Sequence, residues 1–252
     1  MDFTGKHVLV TGGSRGIGKA VATGFAERGA RIAISYLSNI GAARETVKAL
    51  PGRHHLFYQA DIGDPDDVKY LVDRASEELG GLDVLVNNVG VHVAHPLDQV
   101  SYDKWRTVWS HIVGVNLVGA ANMMYCAARY MMKHGGGRIV NISSRGAFRG
   151  EPDHPAYGAS KAGLNSLSQS LAQRLAPYNI FVGVVAPGYV ETEMVSETLA
   201  GPEGDAIRSQ SPLGRVARPE EVAFAVMFLA AEGSEFSTGT IIDVNGASYL
   251  RS

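Results

Sequence analysis

Short apolar runs recur along the chain, each followed by a turn and then a longer stretch whose apolar positions fall three and four apart. The runs at His7–Val10, Arg31–Ser35, His55–Gln59, Val84–Val86, Arg138–Ile142, Phe181–Val185 and Thr240–Val244 read as strands. They are near-continuously apolar, as strands of a sheet covered on both faces must be. The stretches between them carry the helical period. Alternating strand and helix predict an α/β architecture, a parallel, doubly wound sheet of about seven strands with helices on both faces. At 252 residues the chain suits one domain spanning 1–252, with ample length to bury a core.

Composition removes several classes of function. A formal charge of −2 and a pI near 6.4, with no basic tract, give no reason to expect a nucleic-acid partner. The N-terminus enters the first strand almost at once, and no apolar run approaches the ~20 residues of a membrane span, so a cytoplasmic protein without a membrane partner is expected. The one cysteine, Cys126, lies in the apolar stretch 120–132, cannot form an internal disulfide and reads as a small core residue. The eight histidines show no metal-ligand spacing, and no metal is expected. His92 and His95 follow a turn and read as solvated loop residues that could border a pocket.

Four stretches concentrate the chemistry. Thr11-Gly-Gly-Ser-Arg-Gly-Ile-Gly18 follows the first strand and opens a helix, so its glycines permit a tight turn and let a pyrophosphate approach backbone N–H groups at a positive helix end. Leu82-Asp-Val-Leu-Val-Asn-Asn-Val-Gly90 delivers two amides at a strand's carboxyl end, where they could hold neighbouring loops and line a crevice. Gly137-Arg-Ile-Val-Asn-Ile-Ser-Ser144 delivers a hydroxyl. In Tyr157-Gly-Ala-Ser-Lys161 a phenol and an ammonium four apart share one helix face. A phenol with a pKa near ~10 is a poor acid or base at neutral pH, and an adjacent cation favours its ionised form, so Lys161 is expected to bring Tyr157 toward a usable range.

Together these stretches resemble the short-chain dehydrogenase/reductase family over nearly the whole chain. The family's Thr-Gly-x-x-x-Gly-x-Gly matches Thr11–Gly18, and its Asn-Asn-x-Gly matches Asn87–Gly90 with Val89 where alanine is usual. Its serine matches Ser144, its Tyr-x-x-x-Lys matches Tyr157–Lys161, its catalytic asparagine matches Asn116, and its Pro-Gly segment matches the run Pro187 to Thr192. The resemblance implies a Rossmann-type fold and hydride transfer between a nicotinamide cofactor and a carbonyl or secondary alcohol. Tyr157 would be the acid or base and Ser144 a donor to the reacting oxygen. Lys161 would also bond the nicotinamide ribose, and Asn116 would hold a water that relays protons to Lys161.

The cofactor seat implied in this way comprises Gly12, Ser14, Arg15, Gly16, Ile17 and Gly18 in the glycine turn. It continues through Tyr36 and Ser38 after the second strand, Asp61 and Ile62 after the third, and Asn88 and Gly90 after the fourth. Pro187, Gly188, Val190 and Thr192 close over the nicotinamide beside Tyr157 and Lys161. Sites that prefer NAD usually place an acid after the second strand, and Arg31-Ile-Ala-Ile-Ser-Tyr-Leu-Ser-Asn39 has none. The resemblance puts Arg15 where NADP-using members pair a basic residue with the 2′-phosphate, with Ser38 and Asn39 as neutral donors. NADP(H) is therefore expected, NAD being the alternative.

Within the family the chain looks most like 3-oxoacyl-carrier-protein reductases and their ketoreductase relatives, although the stretches 133–138 and 176–179 offer a thin basic docking surface. Arg145 and Arg149 could instead meet an anionic or polar substrate, and residues 145–154 are specificity candidates. Residues 191–215, rich in glycine and proline between short helical pieces, suit a substrate lid. Apolar content in 113–132 and 164–175 exceeds one buried helix face, consistent with a homo-oligomer, dimer or tetramer. A nucleotide-sugar epimerase or dehydratase would be longer, with a different glycine turn. A non-catalytic NADP-binding regulator would lack a catalytic position, and all four are here.

Overall fold

The apolar runs all become strands of one sheet in the computed structural model, which describes residues 1–251. In chain order the elements are β1 (His7–Val10), α1 (Gly16–Ala26), β2 (Arg31–Tyr36), α2 (Ile40–Ala49), β3 (Leu56–Gln59), α3 (Pro65–Leu79) and β4 (Val84–Asn87). Next come α4 (Tyr102–Val113), a π-helical segment (Gly114–Gly119) and α5 (Ala120–Met131), which form one continuous helix. Then follow β5 (Gly137–Ile142), α6 (Gly146–Arg149), α7 (Pro155–Leu175), β6 (Ile180–Pro187), α8 (Glu193–Ala200), α9 (Gly204–Ser209), α10 (Pro219–Ala230) and β7 (Ile241–Val244).

Among the described residues seven strands pair, all parallel, in the order β3-β2-β1-β4-β5-β6-β7. Successive strand residues face opposite sides of the sheet. Thus Val8 and Val10 of β1 join the core under α1, α2 and α10, while Leu9 joins the core under α3, α5 and α7. Both faces being covered is why the strands read as continuous apolar runs rather than alternating ones. The strand order reverses between β1 and β4, so their carboxyl ends diverge and open a crevice at the sheet's edge.

Several boundaries differ from the sequence expectation. β6 runs from Ile180 to Pro187 because β5 and β7 flank it and satisfy its backbone on both sides. β3 begins at Leu56 because the His55 ring turns back, its Nδ1 accepting from the Ile32 N–H at 3.1 Å. Contrary to the expectation of no long apolar stretch, Tyr102–Met131 is long and apolar enough by length and composition to cross a membrane, but half of that window is buried inside the fold. A core helix passes the same test. Cys126 is half-buried on α5, and burial pushes its thiol pKa up.

Candidate active site at the sheet's carboxyl edge

The glycine turn is held by its own Thr11 together with groups from the ends of β2 and β4. The Ser35 hydroxyl accepts from Gly12 N–H at 3.1 Å, and its backbone carbonyl accepts from Gly13 N–H at 3.1 Å. The Thr11 hydroxyl accepts from the N–H groups of Asn88 and Val89, while the Asn88 amide donates to the carbonyls of Thr11 and Gly12. These bonds tie the ends of β1 and β4 together across the reversal. Gly12 and Gly16 have φ of +63° and +53°, which favours glycine. A Cβ on Gly18 would sit 2.3 Å from the Gly12 carbonyl oxygen. With Arg15 at the N-cap and no side chain capping α1, the first N–H groups of the helix, at Gly16, Ile17 and Gly18, face the crevice without intrahelical acceptors. That is a cradle for a pyrophosphate, and the chain's residues fit a dinucleotide here.

At the end of β2 the picture departs from expectation. The Tyr36 side chain is buried in the core against Phe57, with ring centroids 6.1 Å apart, so it does not line the crevice. Leu37 and Ser38 are exposed, and Asn39 spends its side-chain oxygen capping α2 through Ala42 N–H. Arg15 is exposed and, among the described residues, pairs with no carboxylate. Asp61 accepts from Gly63 N–H, and Ile62 is packed against Gly119, so both lie at the carboxyl end of β3 beside the π-helical segment. Pro187 ends β6, Gly188 donates to Val244, and Val190 bridges Ala217, placing this segment beside the ends of β5 and β7. The nearest approach to the glycine turn is by Thr192, whose Cγ2 lies 3.3 Å from the Cβ that Gly16 lacks.

Ser144, Tyr157, Lys161 and Asn116 converge from β5, α7 and the π-helical segment. Lys161 is 3 % exposed, and its Nζ donates to the Ile142 carbonyl at 2.8 Å. Two of its three N–H bonds have no acceptor among the described residues. A Cβ on Gly90 would lie 3.2 Å from this Nζ, so the glycine keeps space open in front of the ammonium. Desolvation lowers the Lys161 pKa from 10.5 to about 8. The Tyr157 pKa is raised, chiefly by desolvation, with the Ser144 hydroxyl pulling the other way and the charge of Glu151 adding to the rise. The expected depression of Tyr157 by Lys161 is therefore not present in this geometry. The ammonium lies 5.8 Å from the ring centroid and points at Ile142, and burial outweighs its field. Tyr157 is held as a neutral phenol, the form that can donate a proton.

The Asn116 amide acts as a strut. Its oxygen accepts from Val91 N–H at 2.8 Å, and its nitrogen donates to the Val91 carbonyl and to the Ser160 hydroxyl. Its side chain thereby fixes the loop after β4 against α7. A π-helical turn at this point is a departure from regular helix of the kind often found at functional sites. Asn87 and Asn141 continue the polar scaffold beneath, Asn87 donating to Asn141 and Asn141 to the Ser168 hydroxyl.

Of the two loop histidines, His92 is exposed, as expected, whereas His95 is not. His95 is fully buried, its Nδ1 beside the Val93 carbonyl at 2.8 Å and its Nε2 accepting from Ala156 N–H at 3.2 Å. His92 stacks on His154 with centroids 3.7 Å apart and meets the Tyr157 ring edge-on at 4.6 Å. Desolvation, then the neighbouring His154 and His95, push the His92 pKa down to about 4. The wall beside Tyr157 is thus a neutral aromatic pair at physiological pH. Spacing alone could not reveal this, because the histidines meet only when the loop after β4 folds onto the start of α7. Among the described residues no cluster of His, Cys, Asp and Glu is arranged to hold a metal.

Comparison with known proteins agrees with this geometry. The family model described as Enoyl-(Acyl carrier protein) reductase matches residues 12–247. The 3-oxoacyl-[acyl-carrier-protein] reductase FabG of Thermotoga maritima is 37% identical over 99% of this chain and 100% of its own. The cis-4-hydroxycyclohexanecarboxylate dehydrogenase of Sinomonas cyclohexanicum is 38% identical over 97% of this chain and 96% of its own. A short-chain dehydrogenase from Burkholderia cenocepacia, solved in complex with NADP, superposes with a TM-score of 0.89 at 36% identity, covering 98% of this chain and 99% of that one. With these likenesses spanning nearly its full length, the chain belongs to the short-chain dehydrogenase/reductase family and is an NAD(P)-dependent oxidoreductase of carbonyl and alcohol groups.

Proposed function

We propose that the enzyme interconverts a ketone and a secondary alcohol with NADP(H), and that Tyr157 exchanges the proton at the reacting oxygen. The observation that carries this reading is the grouping of half-buried Ser144 and Tyr157 with the buried Lys161, whose ammonium faces the space that Gly90 leaves open. The nicotinamide, when bound, supplies or accepts the hydride at the carbonyl carbon. In reduction, Tyr157 gives its phenolic proton to the oxygen as negative charge develops there, and Ser144 donates a hydrogen bond to the same atom. Donors fixed in place before reaction lower the barrier because they need no reorganisation. Lys161 offers its two free N–H bonds to the ribose hydroxyls, and its charge stabilises the phenolate that remains on Tyr157. In oxidation that phenolate takes the alcohol proton.

The N–H groups of Gly16, Ile17 and Gly18 would hold the pyrophosphate, within the turn formed by Gly12 and Ser14. Arg15 would bind the 2′-phosphate, with Ser38 beside it. Asp61 and Ile62 would flank the adenine, Asn88 and Gly90 the ribose side, and Pro187, Gly188, Val190 and Thr192 the nicotinamide. The NADP preference rests on the exposed, carboxylate-free Arg15, on the lack of an acid after β2, and on the NADP-bound relative. We treat residues 191–215, which hold α8 and α9, as a lid within a single domain spanning 1–252. The exposed apolar side chains of Val118 and Tyr125 on the long helix support self-association in the cytoplasm.

The test is turnover with NADPH on a carbonyl panel that includes a 3-oxoacyl thioester and 4-oxocyclohexanecarboxylate. Tyr157→Phe keeps the ring and its packing but removes the proton, so kcat should fall by about 10²- to 10⁴-fold with NADPH affinity nearly unchanged. A phenylalanine variant retaining half the activity would refute the role of Tyr157.

A further inference from the structure

We propose that the cavity beside Arg145 is a carboxylate subsite, so that the carbonyl or alcohol substrate carries an acid group a few bonds from its reacting carbon. This rests on the oxidoreductase reading above. Arg145 is 3 % exposed, the most deeply buried arginine among the described residues, and none of their carboxylates lies within ion-pair distance of it. Its guanidinium donates to two neutral acceptors, Ser248 Oγ and Gln210 Oε1, each at 2.5 Å, and stands 5.1 Å from the Tyr189 ring centroid. A guanidinium has five N–H bonds, so further donors remain. Burying a charge without a counter-charge is costly. The contrast with Arg138 is direct, since that side chain, 13 % exposed, holds Glu235 at 2.5 Å.

The space beside this charge is real. Arg145, Tyr189, Gln210 and Ser211 help line a cavity of about 110 Å³. One water occupies about 30 Å³ of liquid volume, so a carboxylate with a short stem fits. Among the described residues the wall contains one carboxylate, Glu221, and Arg215 already binds both of its oxygens, at 2.8 and 2.6 Å. Its charge is neutralised, and hydrogen bonding to Arg215 holds its pKa down to about 2. Because Arg215 is committed in this way, one planar cation remains for the ligand. A planar carboxylate matches a single guanidinium fork, whereas a phosphate dianion would call for more charge than the wall offers.

Ser144, Tyr157 and Lys161 do not line this cavity, and Arg145 is its link to the reacting centre. Arg145 follows Ser144 directly, their Cα atoms about 3.8 Å apart, and its N–H donates to the Pro187 carbonyl at 2.9 Å. Gln210 lies on the segment read as a lid, so an anion on Arg145 would also draw on the contact that holds that segment down.

The experiment uses the holoenzyme with NADPH and two matched pairs, 4-oxohexanoate and 5-oxohexanoate with their methyl esters. At least one acid should exceed its ester in kcat/KM on the order of tenfold to a hundredfold, the range for a charge-assisted contact. Arg145→Met should raise the KM of that acid until the acid-to-ester ratio approaches one, and Arg145→Lys should keep part of the preference. Esters turned over as well as both acids by the unsubstituted enzyme would overturn the proposal. Should the methionine variant not fold, the unsubstituted comparison still decides. Should no ketone be reduced, the oxidoreductase reading is what has failed, and melting of the NADP-loaded protein then tests the subsite alone. Saturable stabilisation by acid but not ester supports it, and equal or absent stabilisation overturns it.

Discussion

The buried ammonium of Lys161 should write a specific signature into the pH dependence of stability. Its pKa is lowered from 10.5 to about 8 because the folded protein strips water from the charge. Below pH 8 both folded and unfolded chains hold this proton, and the cost of burying it is constant. Between about pH 8 and 10.5 the folded form has released the proton while the unfolded chain still binds it, so stability rises with pH through that window. The depression amounts to about 3 kcal/mol at roughly 1.4 kcal/mol per pKa unit, and about 2–3 kcal/mol of it should be recovered between pH 7 and pH 10. Other groups titrate in the same range, so the informative quantity is the difference between the cofactor-free protein and Lys161→Met, which keeps an unbranched chain without a titrating head. The melting temperature of the unsubstituted protein relative to this variant should climb by roughly 5–10 °C from pH 7 to pH 10, taking the slope for a chain of this size. A difference that stays flat across the window would mean that the ammonium keeps an ordinary pKa. The account of a desolvated lysine facing the ribose site would then be wrong.

Three further substitutions probe the cofactor seat. Arg15→Ala should remove most of the preference for NADPH over NADH, about tenfold to a hundredfold in affinity for one partly exposed charge-assisted contact; titration by nicotinamide fluorescence measures it, and equal binding of both cofactors by the unsubstituted protein would leave Arg15 an ordinary turn residue. Converting the preference toward NADH should be attempted at Leu37, which is 59% exposed, because an acid at Tyr36 would be buried in the core. Gly18→Ala should cost about 1–3 kcal/mol or more and weaken NADPH binding, since its Cβ would meet the Gly12 carbonyl, which belongs to the backbone and cannot swing aside. A Gly18→Ala protein with unchanged melting and cofactor affinity would show that the turn is looser than described.

Much of the fold was legible in one dimension because the forces that set it are local or periodic. A strand covered on both faces must be apolar along its whole length, as Leu85 and its neighbours in β4 are, and a glycine turn between strand and helix must spare its Cβ atoms, as Gly12 and Gly18 do. Tyr157 and Lys161 share a helix face by spacing alone. Tertiary structure decided what the charges and rings do. Whether Lys161 depresses the Tyr157 pKa depends on where its Nζ points, and the Ile142 carbonyl, nineteen positions away in sequence, determines that. Tyr36 ends the second strand and Leu37 comes next, yet packing against Phe57 takes one into the core and leaves the other in water. His92 and His154 become one aromatic wall only after the loop behind β4 closes on α7. Arg145 gives no sign in the sequence that it differs from the exposed Arg149, because burial and the lack of a counter-charge are properties of the surroundings, which residues from 189 to 248 supply.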